Sequence, residues 1–302
     1  MKKQLFVLSV VLALMVSVGA MAFTGPPEAR PPEVPKTIVP QIMTGMEGHK
    51  AYIYPVVRVT TENSGGSGTI IYSKEFESGK FSTYILTNHH VIAYAINISE
   101  EWDSALAKKI PVERRSVVYV EQFKYRNVSI PVGTMRIEAD IKIYNKNEDM
   151  ALLRLRYDEP VGVVAKIPKA GEENGYKVLD ETIAVGCSLL FPPLPTVGVV
   201  TRMDFLINSL AYHMSSAQVI YGNSGGAMFQ SDGTLIGIPS MLAVTGWGGS
   251  VPITHMGLFV PIDRVYKWME EERYNFIYDP SINEKTSLEL REKEIKEKRD
   301  KK

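Results

Sequence analysis

Gly222-Asn223-Ser224-Gly225-Gly226 runs directly into Ala227-Met228-Phe229 and then Ser231-Asp232-Gly233. Glycines permit φ > 0 and let backbone approach another molecule closely. A serine held among three of them can present its hydroxyl. In such a bend the N–H groups of Gly222 and Ser224 can converge on one point and stabilise a developing oxyanion. The apolar triplet that follows, closed by Ser-Asp-Gly, has the pattern of a β-hairpin. The stretch therefore predicts a nucleophile on a β scaffold, with a glycine-rich surface turn as the plain alternative for these five residues alone.

A serine nucleophile needs a base and a group to orient that base. Of the five histidines, His90 stands where a predicted strand, Phe81 to Thr87, ends. Asp149 directly precedes the apolar run Met150 to Leu155, which places its carboxylate at a strand mouth beside buried surface. A carboxylate there can orient an imidazole and stabilise its protonated form. Singly, each has a structural reading: a histidine packed near a strand end, an aspartate in a turn. The set and its order, His90, Asp149, Ser224, carry the inference.

The chain around these residues reads as short strands with turn punctuation. Tyr54 to Thr60, Thr69 to Tyr72, Ser116 to Lys124 and Arg136 to Tyr144 form a first set. Thr182 to Val185, Val197 to Thr201, Ala227 to Phe229, Leu235 to Ile238 and Gly257 to Val260 form a second. Gly65 to Gly68 reads as a tight bend, and Ser99 to Val112 as part of a long polar loop. Two helices are expected, 262–272 after Pro261 and a charged one over 284–302, where Glu289–Lys293 and Glu292–Lys296 stand at i,i+4. This charged tail reads as solvated. Many short strands with few helices argue for an all-β fold.

The 302 residues carry 34 lysines and arginines against 34 aspartates and glutamates, so net charge lends no support to nucleic acid as a partner. The single cysteine, Cys187, excludes an intramolecular disulfide and a cysteine-based zinc site, and its apolar surroundings predict a buried structural thiol. No cofactor or metal is expected. Met1 to Ala22 reads as a secretory signal: Lys2 and Lys3, an apolar Leu5 to Val18, then Ala20-Met21-Ala22. An uncleaved membrane anchor is the alternative; either way the remainder is exported, to the periplasm or outside the cell. Residues 23–48, with Pro26, Pro27, Pro31, Pro32 and Pro35, read as a linker.

Thr87-Asn88-His89-His90-Val91, Asp149-Met150-Ala151-Leu152-Leu153 and Gly222-Asn223-Ser224-Gly225-Gly226 resemble the three signature blocks of chymotrypsin-fold (trypsin-like) serine proteases, and more narrowly the HtrA-like, non-zymogen branch. The resemblance implies two packed six-stranded antiparallel β-barrels over about 50–165 and 170–262, a helix at 262–272, a protease domain over 49–278 and a charged tail over 279–302. No PDZ domain is expected after it. It further implies Ser224 as nucleophile, His90 as base, Asp149 as orienting carboxylate, the N–H groups of Gly222 and Ser224 as oxyanion hole, and a peptide or unfolded protein as substrate. Gln218, Tyr221, Ser240 and Met241 are the candidate substrate-binding residues. They predict a pocket for an uncharged side chain. His89 is expected to point away from the site.

Three departures from that pattern matter. Asn223 replaces the aspartate that pairs with a new N-terminus in zymogen-type relatives, so activation by chain cleavage is not expected. Cys187-Ser188-Leu189-Leu190-Phe191-Pro192-Pro193 replaces a polar loop. Pro239 removes a donor from the strand beside the substrate. Gly-x-Ser-x-Gly also matches the nucleophile elbow of α/β-hydrolases, but that site needs a helix after the serine and the order serine, acid, histidine; here a hairpin signal follows Ser224, and His255 alone lies downstream. Two other functions stay open on the same residues: a binding module that has lost turnover, with Ser99 to Gly133 long enough to cover the site, and an esterase.

Overall fold

β8 (Met150–Leu155) shows how the sequence builds two cores with one strand. Its residues alternate, as side chains on a pleated strand must. Ala151, Leu153 and Leu155 point into the interior of one barrel. Met150 and Leu152 point out of it, into the main core between the two barrels. The structure is a computed structural model and describes residues 42–105, 107–173, 175–245 and 251–300. The expected signal and most of the expected linker lie outside the described residues.

The first barrel begins with β1 (Val56–Thr60), β2 (Gly65–Glu77) and β3 (Lys80–Thr87). An outlying two-stranded sheet follows, β4 (Ile96–Asp103) and β5 (Lys108–Arg115). β6 (Val118–Arg126), β7 (Ile130–Asn145) and β8 complete the barrel, which closes in the order β1-β2-β3-β8-β7-β6. The second barrel uses β9 (Glu181–Gly186), β10 (Leu194–Ile207), β11 (Leu210–Ser215), β12 (Ala227–Gln230), β13 (Leu235–Thr245) and β14 (Val251–Pro261). It closes as β10-β11-β14-β13-β12-β9. This is the two-barrel, chymotrypsin-like architecture expected, with every ladder antiparallel.

Four helices accompany the barrels among the described residues: α1 (Gly45–Gly48), α2 (His89–Ile92), α3 (Ile262–Glu271) and α4 (Glu284–Asp300). α3 buries Ile262, Val265, Trp268 and Met269 in the main core, alongside Phe229 and Val260 of the second barrel and Tyr72 and Tyr84 of the first. None of these helices is long and apolar enough to cross a membrane.

Four local expectations are corrected. Gly65 to Gly68 is not a bend but the start of β2, paired with Val57–Thr60; glycine is needed there because a Cβ on Gly68 would lie 2.6 Å from Ile85 and 2.7 Å from Val59. Ser99 to Val112 is not a loop but lies in the β4–β5 hairpin. The linker does not run to 48, because Ile42 and Met43 pack against the main core and α1 continues as a π-helical turn over His49–Ile53. The tail is not wholly solvated: Glu284 and Ser287 of α4 are buried. Glu284 accepts hydrogen bonds from Tyr84 (2.8 Å) and Tyr72 (3.4 Å), and Ser287 donates to the Arg273 carbonyl at 2.8 Å.

Candidate active site

The Ser224 loop joins the end of β11 to β12 and is shaped by positions that only glycine can fill. Gly225 sits at φ 81°, and a Cβ there would lie 2.3 Å from both the Ser67 carbonyl oxygen and Thr87 Oγ1. Gly222 sits at φ 97°, and a Cβ there would lie 2.4 Å from the Cys187 carbonyl oxygen.

Each peptide of the loop is tied down. The Leu189 N–H donates to the Tyr221 carbonyl at 2.8 Å and the Gly226 N–H to the Asn223 carbonyl at 2.9 Å. In a trans peptide the N–H points opposite to the C=O. The Gly222 and Ser224 N–H groups are thereby turned to the other side of the loop, and neither donates to an acceptor among the described residues. Ser67, fully buried, connects this loop to the first barrel. Its hydroxyl donates to the Gly222 carbonyl at 2.6 Å and accepts from the Cys187 N–H at 2.7 Å, while its N–H donates to the Ser224 carbonyl at 2.8 Å. Asn223 is buried too, and its Oδ1 accepts from Ser188 Oγ at 2.7 Å and the Ile220 N–H at 3.3 Å. A neutral side chain thus fills, with two hydrogen bonds, the place where a charged one would require a counter-ion.

His90 was expected at a strand end; it lies one step further, in the first turn of α2, just after β3 stops at Thr87. Asp149 occupies the left-handed region at φ 55°, held there by the Asn88 amide donating to its carbonyl at 2.8 Å. Its carboxylate receives four hydrogen bonds. His90 Nδ1 lies 2.8 Å from Oδ2 and 3.0 Å from Oδ1, the His90 N–H donates to Oδ1 at 2.9 Å, and Ser240 Oγ donates to Oδ2 at 2.6 Å. Burial pushes the Asp149 carboxyl up, and the His90 and Ser240 hydrogen bonds more than offset it, holding the group below the ordinary carboxylate value. Ser240 is aimed at Asp149 by a bulge: Pro239 pairs with Phe259 and Met241 with Leu258, so Ser240 is the extra residue between them. His89 turns away, largely buried with its ring on Tyr144 at 5.3 Å.

Ser224 and His90 line one cavity of 380 Å³, although no hydrogen bond joins them among the described residues. Val219, Pro239, Met241, Leu242 and Val244 give it apolar walls, and Tyr221 and Ser240 also line it. Of the candidate binding residues, Tyr221, Ser240 and Met241 line this cavity. Gln218 does not: it is exposed, and it is the next residue, Val219, that faces the cavity. No described residue of 99–133 lines the cavity. Two contributions were not anticipated, Ser67 as the anchor of the loop and Leu189 as the partner of Tyr221. The run Gly65-Gly66-Ser67-Gly68 was visible, but nothing in sequence links it to residue 222. Cys187 is buried as expected, and burial pushes its thiol up to about 12.

A family model described as a trypsin-like peptidase domain matches residues 66–238. Among curated relatives, the magnetosome formation protease MamE of Paramagnetospirillum magneticum is 28% identical over an alignment covering 43% of this chain and 18% of the relative. The mitochondrial serine protease HTRA2 of Drosophila grimshawi is 26% identical, over 40% of this chain and 29% of the relative. A putative protease Do-like 14 of Arabidopsis thaliana is 32% identical, over 35% of this chain and 26% of the relative. These matches thus span less than a third of each relative. Of solved structures, the HtrA-type protease AlgW with tripeptide superposes with a TM-score of 0.52 at 19% identity, covering 76% of this chain and 63% of that one, which shows a common fold.

Proposed function

This chain belongs to the trypsin-like peptidase domain family, and from that premise we propose that it is an exported serine endopeptidase acting through Ser224, His90 and Asp149. The observation that carries the proposal is the Asp149 carboxylate clamped on His90 Nδ1 at 2.8 Å, in the cavity that Ser224 also lines. That bond fixes the tautomer with its free nitrogen at Nε2, ready to take the Ser224 proton. Attack on a peptide carbonyl then places the oxyanion before the Gly222 and Ser224 N–H groups, which have no acceptor among the described residues. His90 passes the proton to the leaving amine. Water repeats the sequence on the acyl-enzyme. The cavity walls favour an uncharged, apolar side chain before the scissile bond, in a peptide or unfolded protein. Export rests on the reading of Met1 to Ala22 as a signal.

Treatment of the full chain with a fluorophosphonate probe tests the proposal. Covalent labelling is expected for the wild type and absent for Ser224→Ala. An unlabelled wild type overturns it in favour of a binding module. Turnover of acyl esters with none of peptides would make the protein an esterase.

A further inference from the structure

Ser224 has two flanks. On one, the Gly225 N–H donates to the Pro239 carbonyl at 3.0 Å, and β13 carries the apolar wall of the cavity. On the other, the Ser224 carbonyl accepts from Ser67, and the 187–191 loop lies against the start of β2. Leu190 rests over Gly65, where a Cβ would come within 3.0 Å of its Cδ2. This second flank carries apolar surface left open among the described residues: Leu189, Leu190, Phe191 and Tyr221 are each between 41% and 60% exposed.

The arrangement is held and not incidental. Leu189 and Leu190 are consecutive left-handed residues, at φ 51° and 64°, a conformation that leucine rarely adopts and that persists only where surroundings impose it. Three bonds impose it here. The Leu189 N–H reaches the Tyr221 carbonyl and the Leu190 N–H the Cys187 carbonyl, both at 2.8 Å. Arg58 Nη1 donates to the Leu190 carbonyl at 2.5 Å and is itself held through Nε by Glu121 at 2.8 Å. Contiguous exposed apolar groups mark binding surfaces. This one is continuous with the cleft, because Tyr221 belongs to both.

We propose that Leu190, Phe191 and Tyr221 form a subsite for bulky apolar side chains on the leaving-group side of the scissile bond, so that this chain selects its cut from both sides. The inference rests on the peptidase reading. A peptide whose acyl half fills the cavity beside β13 must leave Ser224 across the other flank, where these side chains lie. The strained loop presents them in a fixed position, which reduces the ordering cost of binding.

The test uses internally quenched peptides that share one apolar acyl half and carry Leu, Phe, Ser or Asp in the first two positions after the cut. The acyl half is also offered as a coumarinyl amide, which has no residues beyond the cut. The Leu and Phe peptides are expected to exceed the Ser and Asp peptides about tenfold in kcat/KM, the scale of one partly buried apolar side chain. That ratio should fall to about twofold or less in Phe191→Ser, whose backbone is extended at φ −67° and bears no strain, and in Leu190→Asn, since asparagine tolerates the left-handed region. Turnover of the amide with no ratio in the wild type, or a ratio that both variants keep, overturns the subsite alone. So does an oligomer that both variants dissociate while the ratio stays flat, which would assign the patch to a second copy. Failure to cleave any peptide or the amide overturns the peptidase reading and the subsite with it.

Discussion

The hydroxyl of Ser67, on the first barrel, donates to the carbonyl of Gly222, on the second, over 2.6 Å. The loop bearing Ser224 is therefore shaped by a side chain more than a hundred and fifty residues upstream. Ser67→Ala removes that donor and leaves the Gly222 carbonyl and the Cys187 N–H without partners. A stability loss of about 1–3 kcal/mol is expected in urea denaturation. The fluorophosphonate labelling rate should fall further than that of a core variant of equal stability, such as Ile70→Val. Equal rates would show that the bond supports folding and not the loop.

Ser240 donates to Asp149 Oδ2, leaving His90 to orient on a carboxylate held from two sides. Ser240→Ala is expected to lower kcat severalfold with little change in KM. Asp149→Asn turns one of the two oxygens facing His90 Nδ1 into an NH2 donor and should cost about 10⁴ in kcat, the scale seen when the tautomer is lost. Steady-state kinetics on a cleaved peptide separate the two.

Asn223→Ala strips Ser188 Oγ and the Ile220 N–H of their acceptor. A loss of about 1–3 kcal/mol is expected for the buried groups left unpaired, together with slower labelling of Ser224. Asn223→Asp should be worse at neutral pH and recover in acid, since a buried carboxylate here has no cation facing it among the bonds it inherits. Thermal unfolding at two pH values reads the difference.

His213 is buried, with Tyr176 Oη at 2.8 Å from Nδ1 and Asp204 at 3.4 Å from Nε2. Burial holds its imidazole below the ordinary 6.5, only partly countered by Asp204. A base with a depressed folded value is neutral in the fold and binds protons more readily when unfolded. Its contribution is complete above 6.5 and is lost as pH falls through the folded value. Stability should thus decline below about pH 6.5, and His213→Asn should flatten that decline. An unchanged slope in calorimetry would exclude His213 as its source.

Glu284 docks the tail by accepting from Tyr84 and Tyr72. Glu284→Ala leaves the Tyr84 hydroxyl buried and unpaired, at a cost of about 1–3 kcal/mol. For a domain of this size that is roughly 2–4 °C in Tm per kcal/mol. A variant ending at residue 283 should lose at least as much.

What was legible in the sequence follows from how local each feature is. The apolar run of β8 and the helix after Pro261 are decided by near neighbours, and both stand where expected. β11 went unread because its signal is a tight turn, Asn208-Ser209, with both residues left-handed at φ 51° and 65°; that pair is a weaker mark than Asn-Gly. The bonds of Ser67 to residues 187, 222 and 224 cannot be seen along the chain, since they join segments that only barrel packing brings together. Val219 was missed for Gln218 because a register error of one residue exchanges the two faces of an extended chain. The tail's charges concealed its docking: Glu284 reads as solvent-facing until two tyrosine hydroxyls are found to need an acceptor.

Asn223 has a bearing on ionic strength. The bonds closing the Ser224 loop at Asn223, Ser67 and Gly226 are all between neutral groups. Screening, which at 1 M salt shrinks the reach of exposed charges to about 3 Å, has nothing there to weaken. Concentrated brine should loosen the surface ion pairs of this protein while the loop beside its serine stays formed.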